Sequence, residues 1–204
     1  DEYMKIVDWG DGRQVVAANS KELIESLRRI QGSAYVKDGL VSEEVLKDGG
    51  GKLPPEIDSQ DRIDHSKYFT VVDKNKDKSP QYCTIRYVYT DSEHGLAFLD
   101  EYRRASPEAR KAIVEKYQPE DVVAISSLAK NFEQKDSSLK DIVGAVIGMV
   151  QDLRDHKKKI GIMELDVRKY EPMKSVFGAD NFEEIGEPHL LTKEGREIDG
   201  VNLN

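Results

Sequence analysis

The clearest hydrophobic pattern of this chain lies in residues 121–187, where short apolar runs alternate with helical periodicity. Apolar residues recur at helical spacing over residues 137–156, which predicts one long amphipathic helix. Apolar runs on either side of it, VVAIS and IGIMELDV, predict two buried strands. A short helix at KYEPMKSVFG, closed by Gly178, and a further strand at FEEIGEP follow. The segment therefore predicts a strand-helix-strand-helix-strand order.

The preceding residues predict a strand, a helix and a hairpin. RQVVAA is typical of a short strand, and Asn19 with Glu22 forms a capping-box pattern that predicts a helix beginning near Asn19. That helix ends either at Gly32 or about one turn later, since Ala34 and Tyr35 extend its apolar face. The apolar runs KYFTVVDK and QYCTIRYVY, separated by the polar stretch NKDKSP, predict an antiparallel pair of strands.

The remaining segments are less regular. Ser106, followed by Pro107, predicts the start of a helix that continues to about Tyr117. Residues 36–66 show no steady period and predict a long irregular segment with one helical turn at SEEVLKD. Residues 192–196 predict a turn that joins two strand pieces.

Composition narrows the class of protein. A chain of 204 residues is long enough for one domain with a full core, so we expect a single domain over residues 1–204. Charged residues make up 34% and hydrophobic residues 38%, as in a globular protein. No apolar run approaches the length of a membrane span, and the first residues lack the apolar core of a signal peptide. We therefore expect a cytoplasmic protein without a membrane span.

Several kinds of chemistry are disfavoured. The net charge of −8 argues against a nucleic-acid partner, because phosphate binding needs clustered Lys and Arg. Cys83 lies inside a strand-like run, which favours a buried thiol over a nucleophile. The four histidines, at positions 65, 94, 156 and 189, have no ligand spacing, so we predict no metal site. The chain has neither a phosphate-loop motif nor a serine-nucleophile motif, which disfavours nucleotide-driven enzymes and hydrolases.

Three segments carry a resemblance to a known family. They are the strand AISSLAK, the CTIRY segment that contains Arg86, and an acidic segment with Asp58, Asp61 and Asp64 before Tyr68. Together they resemble the long-chain branch of the GNAT-type acyltransferases, which contains the autoinducer (acyl-homoserine-lactone) synthases and the N-acyl amino acid synthases. The resemblance covers about residues 14–190. It implies an α/β GNAT-type fold, with a mixed, mostly antiparallel sheet flanked by helices.

The same resemblance implies that the acyl donor is a thioester of coenzyme A or of the phosphopantetheine of an acyl carrier protein. A strand that diverges from its neighbour leaves backbone groups for the pantetheine amides, and a helix N-terminus offers N–H groups to a phosphate. The residues expected to bind this cofactor are Ile125, Leu128, Ala129, Lys130, Lys135, Ser137, Ser138 and Leu139.

The resemblance also implies transfer of the acyl group to a small-molecule amine. This reaction needs a base, donors for the oxyanion and an acid for the leaving thiolate. The expected catalytic residues are Glu164 as base, Tyr170 as acid, and Ser126 within the run 125–129 whose backbone polarises the carbonyl. Asp61, Asp64 and Arg86 are expected to orient the acceptor. Structural roles are the alternatives: an outward strand carboxylate for Glu164, packing for Tyr170, and a solvated loop for the aspartates.

Departures from the family pattern support an alternative function. Ala124 and Ser127 stand where autoinducer synthases carry a Glu and an Arg, and EQKDSSLK lacks the glycine-rich loop of many GNAT enzymes. The missing glycines argue against tight binding of coenzyme A, because glycine lets the backbone approach a pyrophosphate closely. The resemblance to the long-chain branch, which often lacks this loop, implies an acyl carrier protein as donor. All these departures fit a non-catalytic GNAT-like binding module. A V-shaped opening between the strands at Val123 and Ile162 would distinguish either case from an unrelated α/β domain.

Overall fold

A six-stranded sheet forms the centre of the protein. The computed structural model describes residues 3–165, 167–183, 190–191 and 197–198. The sheet order follows the chain from the first strand to the sixth, and only the last pair is parallel. Its strands are β1 (Tyr3–Gly10), β2 (Arg13–Ala18), β3 (Ser66–Asp73), β4 (Cys83–Tyr89), β5 (Val122–Lys130) and β6 (Ile160–Met163). Two short strands, β7 (Leu190–Leu191) and β8 (Glu197–Ile198), form a separate antiparallel pair.

Helices cover both faces of this sheet. They are α1 (Lys21–Lys37), α2 (Glu43–Lys47), α3 (Gln60–Asp64), α4 (Asp100–Arg104), α5 (Pro107–Lys116), α6 (Leu139–Asp155) and α7 (Val167–Phe177). On one face, α6 buries Ala145, Val146 and Met149 against the sheet, where they meet Phe69 and Val123. The mixed, mostly antiparallel sheet flanked by helices is thus confirmed.

Two smaller apolar clusters share the opposite face. In the first, Leu23, Leu27 and Ile30 of α1 pack on Tyr68 and Ala129. The second lies nearer the other end of β5, where residues of the α4 and α5 region pack on the sheet; it includes Val88, Leu99, Ile113, Ala124 and Ile162. The sheet surface between these two clusters is occupied by polar side chains, which form part of the candidate site.

The predicted helix at the N-terminal end of the chain is present but differs at both ends. Its N-cap is Ser20 rather than Asn19, since the Ser20 hydroxyl accepts a hydrogen bond from the Leu23 N–H at 3.1 Å. The helix also continues through Gly32 to Lys37. At Gly32 a Cβ would lie 2.3 Å from the carbonyl oxygen of Gly51, so this glycine permits a loop to approach the helix closely.

Other elements escaped the sequence patterns. β1 was not predicted, and neither were α3 and α4, which have five residues each. The predicted strand at FEEIGEP begins with Phe182, directly after a 3-10 turn at Ala179–Asn181, and residues 184–188 lie outside the described residues. The predicted turn at 192–196 is also outside them, although β7 and β8 flank it. Among the described helices, none is both long and apolar enough to cross a membrane.

Candidate functional site

The parallel edge of the sheet opens along β5. Strand β4 accompanies β5 from Val123 to Lys130, whereas β6 pairs with β5 only from Val122 to Ile125. Beyond Ile125, no strand of the described residues pairs with β5 on that side. Five residues of β5 therefore present backbone groups to a gap instead of to a neighbouring strand. This is the opening that the GNAT-type fold implies.

A bulge lies in β5 where this opening begins. Arg86 faces Ser126 and Thr84 faces Ala129, so Ile85 stands opposite both Ser127 and Leu128. Ser127 adopts a positive φ of 61°, which is uncommon for a residue with a side chain. Its hydroxyl is buried and has no hydrogen-bond partner. A bulge takes backbone groups out of the strand ladder, and those at Ser127 are thereby available to a ligand.

A cavity of about 250 Å³ adjoins the open part of β5. It lies among α1, β5, α6 and α7, and its lining is mostly apolar; the residues are Ala34, Asp38, Leu128, Ala129, Lys130, Phe132, Leu139, Ile142, Val143, Pro172, Met173, Val176 and Phe177. Three of these apolar side chains are unusually exposed: Phe132 (43%), Leu139 (63%) and Val176 (46%). An apolar cavity with an exposed apolar rim is the form expected of a site for an apolar ligand.

At the N-terminus of α6, beside this cavity, some polar groups already have partners within the protein. Ser138 caps the helix, and the Asp141 carboxylate accepts a hydrogen bond from the Ser138 N–H at 2.8 Å. The Ser137 hydroxyl donates to the Tyr82 carbonyl oxygen at 2.6 Å. Asp141 is fully buried and forms an ion pair with Arg13 at 2.7 Å. These carboxylate and carbonyl partners occupy groups that were expected to contact a phosphate.

Lysines nevertheless lie near the cavity, which also has one acidic lining residue, Asp38. Lys130 lines the cavity, and the Lys37 ammonium lies 3.3 Å from the centre of the Phe132 ring. Lys135 is exposed just before α6. The Asp136 carboxylate, next in the chain, forms ion pairs with Lys76 at 2.6 Å and Arg13 at 3.0 Å rather than with these lysines. The lysines near the entrance provide an attractive surface for an anionic group.

Arg86 anchors a buried polar cluster on the opposite face of the sheet, between the two apolar clusters. Its guanidinium binds both oxygens of Asp58, at 2.7 and 3.1 Å, and donates to the Tyr68 hydroxyl at 2.9 Å. Its Nε donates to the Ser126 hydroxyl at 3.0 Å. Burial opposes the charge of Arg86, but Asp58 and Tyr68 outweigh this effect and raise its pKa. Arg86 therefore stays charged and fixes Ser126 at the start of the open edge.

Two further arginines approach the same aspartate. The Nε atoms of Arg28 and Arg62 each lie 3.9 Å from Asp58. Arg62 also binds Glu101 at 2.5 Å, which links α3 to α4. Neither Arg28 Nε nor Arg62 Nη1 has a hydrogen-bond partner, and both atoms are buried. The cluster thus holds guanidinium donors that the protein itself does not satisfy.

Glu164 and Tyr170 lie near the end of β6 and in α7. The Glu164 carboxylate binds Arg104 at 2.5 Å and is partly exposed. Tyr170 lies under the Lys174 ammonium, 4.4 Å from its ring centre, and packs edge-on against Phe182. It shares a helix face with Met173, which lines the cavity three residues later. No contact of either side chain with Ser126 is among the described hydrogen bonds.

The structure thus unites some of the expected site residues and separates others. Leu128, Ala129, Lys130 and Leu139, four of the residues predicted to bind the donor, line one cavity, and Ile125 packs into the core beside them. Ser126 and Arg86 are in direct contact. Asp61 and Asp64 are exposed on α3, and the carboxylate that pairs with Arg86 is Asp58. Ser137, Ser138 and Lys135 surround the α6 N-terminus without lining the cavity.

Sequence patterns missed the partners of these residues. Nothing in the sequence links Arg104 to Glu164, 60 residues away, or Arg62 to Glu101, 39 residues away. The acidic segment did include Asp58, but its position relative to Arg86 depends on how the chain returns to β4.

The protein has a GNAT-type fold, with an open parallel edge, a bulged strand and a following amphipathic helix. Its similarity to known structures is clear at the level of fold. FeeM, an N-acyl amino acid synthase from uncultured soil microbes, aligns with a TM-score of 0.60 at 13% identity, covering 91% of this chain and 86% of that protein. A GNAT-family acetyltransferase from Staphylococcus aureus aligns at a TM-score of 0.48 and 8% identity, covering 86% of this chain and 94% of its own. No protein-family model matches the sequence, and no curated protein matches it.

Proposed function

We propose that this protein is an N-acyltransferase that moves an acyl group from a thioester to the amine of a small molecule. The observation that carries the proposal is the apolar cavity beside the unpaired, bulged part of β5. An acyl-pantetheine arm is an amide chain that ends in an acyl group. The unpaired backbone groups match the amides, and the apolar cavity beside them matches the acyl group. The similarity of the fold to FeeM supports the same reaction class.

The donor arm would lie along the open edge of β5. Backbone groups of residues 126–130 would pair with the pantetheine amides, and the acyl chain would enter the cavity between Leu128 and Met173. Lysines at the entrance suit the phosphate of coenzyme A or of a carrier protein's phosphopantetheine. Because carboxylates occupy the α6 N-terminus, these lysines rather than the helix end would bind the phosphate. An acyl carrier protein is the donor that this arrangement favours.

The chemical step would be a direct attack. The amine nitrogen bonds to the thioester carbonyl carbon, the carbon–sulfur bond breaks, and the proton lost by the nitrogen balances the one gained by the thiolate. Backbone N–H groups freed by the bulge at Ser127 would stabilise the oxyanion. Glu164 would accept the amine proton, with Arg104 holding its carboxylate in place, and Tyr170 would protonate the thiolate.

The acceptor we propose is an amine that also carries a carboxylate. Arg28 Nε and Arg62 Nη1 are buried and make no hydrogen bond, although each has a carboxylate at ion-pair distance, Asp58 at 3.9 Å and Asp100 at 3.7 Å. Charge-assisted hydrogen bonds are the strongest that such groups can form. The name of FeeM, an N-acyl amino acid synthase, describes an acceptor of this kind. A non-catalytic module is the second candidate, and the ion pair that already engages Glu164 favours it.

Two measurements test the proposal. Calorimetry with acyl-coenzyme A and acyl carrier protein tests donor binding, in which Leu139→Gln should weaken affinity by about tenfold, or about 1.4 kcal/mol, through lost apolar contact. Ile147→Gln is the matched control, because Ile147 is equally apolar, exposed on the same helix and absent from the cavity. Failure of every thioester to bind would refute the proposal.

Thiol release with a panel of amines tests turnover. Glu164→Gln should lower kcat by about 10²–10⁴-fold with little change in KM, as for loss of a general base. Glu171→Gln, an exposed carboxylate on α7, is the control and should keep full activity. Donor binding without thiol release for any amine would favour the non-catalytic module.

A further inference from the structure

Two histidines and an aspartate meet at the end of the sheet that is farthest from the cavity. His65 directly precedes β3, while Asp91 and His94 lie in the turn after β4. These strands are antiparallel, and the Tyr89 N–H donates to the His65 carbonyl oxygen at 2.9 Å, which holds the two segments side by side. The cavity adjoins Leu128–Lys130 at the other end of β5, so the cluster is separate from the proposed donor site.

The geometry of this cluster suits a shared ligand. One nitrogen or oxygen atom from each of His65, Asp91 and His94 lies within 4.8 Å of the other two. The centres of the two imidazole rings are 4.6 Å apart, and the Phe98 ring lies 5.0 Å from each of them. Phe98 therefore forms an apolar wall behind the polar atoms, and such a wall limits the access of water to a bound ion.

Hydrogen bonds already orient all three side chains. Nδ1 of His65 lies 2.8 Å from the Asp61 carbonyl oxygen, which can only accept, so Nδ1 carries the proton and Nε2 keeps its lone pair. A backbone acceptor of this kind is what typically fixes a metal-binding imidazole. The His94 backbone N–H donates to Asp91 Oδ1 at 2.8 Å, and the His94 Nδ1 lies 2.8 Å from the same oxygen, so the carboxylate and the ring hold each other in place.

We propose that His65, Asp91 and His94 form a binding site for a divalent transition-metal ion, with Zn²⁺ as the best match. Two imidazoles and one carboxylate are a recurrent zinc donor set, and three protein ligands leave a coordination position open to solvent or to a small molecule. Zinc would bring the ligand atoms to about 3.3 Å from one another, given its bond lengths and tetrahedral geometry. His94 is the exposed member, and on metal binding its 2.8 Å contact with Asp91 would be replaced by bonds from both residues to the ion.

The proposal opposes the expectation of no metal site, which was based on sequence spacing. Spacing gave no signal because the ligands come from two segments that only the pairing of β3 with β4 brings together. It is also independent of acyl transfer, since none of the three residues belongs to the proposed donor site or to the Arg86 cluster.

Calorimetric titration of the metal-free full chain with Zn²⁺ tests the site. The wild-type protein should bind one ion at this site, and His94→Gln and Asp91→Asn should each weaken binding by at least about tenfold, since even outer-shell partners are worth 10–100-fold. His156→Gln is the matched control, because His156 is also exposed and lies 3.4 Å from a carboxylate, that of Asp152, yet belongs to no such cluster among the described residues. It should bind as the wild type does.

A second readout excludes misfolding and surface binding. Without metal, His94→Gln should unfold at the wild-type temperature, and added Zn²⁺ should raise Tm for the wild type and for His156→Gln but not for His94→Gln. Co²⁺ should produce visible absorption typical of nitrogen and oxygen coordination in the same two proteins. Equal Zn²⁺ affinity in the wild type and His94→Gln, or equal weakening in His156→Gln, would overturn the proposal.

Discussion

Removal of the Asp58 carboxylate should destabilise the protein more than any other single change on the acidic segment. Asp58 is almost fully buried, and it binds Arg86 through two hydrogen bonds of 2.7 and 3.1 Å. It also lies 3.9 Å from each of two further guanidiniums, those of Arg28 and Arg62. In Asp58→Ala the guanidiniums of Arg86 and Arg28 lose this carboxylate in a site that water hardly reaches, while Arg62 keeps its ion pair with Glu101.

The expected loss is about 3–5 kcal/mol, the range found when one partner of a buried ion pair is removed. A domain of ordinary stability has only about 5–15 kcal/mol to lose. With a urea m value of about 2 kcal/mol/M, the unfolding midpoint should fall by about 1.5–2.5 M. Asp61→Ala is the matched control three residues away, and because Asp61 is exposed it should cost less than about 1 kcal/mol.

A double variant shows how much of the stability lost in Asp58→Ala comes from the unpaired Arg86 charge and how much from lost packing. Asp58→Ala combined with Arg86→Met should recover at least half of the stability lost in Asp58→Ala, because an apolar replacement of a buried pair is often neutral. Urea unfolding of the four proteins, wild type included, gives the coupling free energy. Equal losses in Asp58→Ala and Asp61→Ala, or simple additivity in the double variant, would refute the reasoning.

Three further outcomes follow from the structure. The Cys83 thiol is fully buried and burial raises its pKa to about 12, so an aromatic disulfide should label it only after unfolding; rapid labelling of the folded protein would contradict this burial. Gly32→Ala should cost about 1–3 kcal/mol in urea unfolding because its Cβ meets the Gly51 carbonyl oxygen, whereas the exposed neighbour change Ser33→Ala should cost nothing. The hydrogen bond from Lys76 holds the pKa of Asp136 below its usual value. The stabilising contribution of Asp136 is therefore complete above about pH 4 and is lost as the pH falls through its folded-state pKa. The stability of Asp136→Asn should fall less steeply with acid than that of the wild type, and an unchanged slope would count against the interaction.

The elements that were predicted well from the sequence are those whose pattern of apolar residues follows directly from which of their faces are buried. In α6 the apolar residues repeat at helical spacing because one face packs on the sheet, and β4 is apolar because both of its faces are covered. β1 was missed because it is an edge strand with little burial, so that Lys5 and Asp8 interrupt its pattern. α3 and α4 are too short for a period to appear.

The site itself was only partly predictable, for a related reason. The resemblance predicted donor-binding residues on β5 and at the start of α6, and four of these residues line the cavity, three on β5 and Leu139 on α6. The contacts that orient Ser126 and Glu164 join residues 40 and 60 positions apart, and no local pattern encodes such a pair. The bulge at Ser127 was invisible as well, since it has no glycine to mark its positive φ.

At that bulge the site is formed by backbone N–H and C=O groups, which nearly every amino acid has, rather than by particular side chains. Substituting a side chain along residues 126–130 alters the walls of the gap but leaves its peptide N–H and C=O groups where the strand path sets them. Such a surface can keep its shape while the residues along it change, provided that the strand path is kept. The similarity in fold to FeeM at 13% identity is of this kind, since the fold is kept while most residues differ.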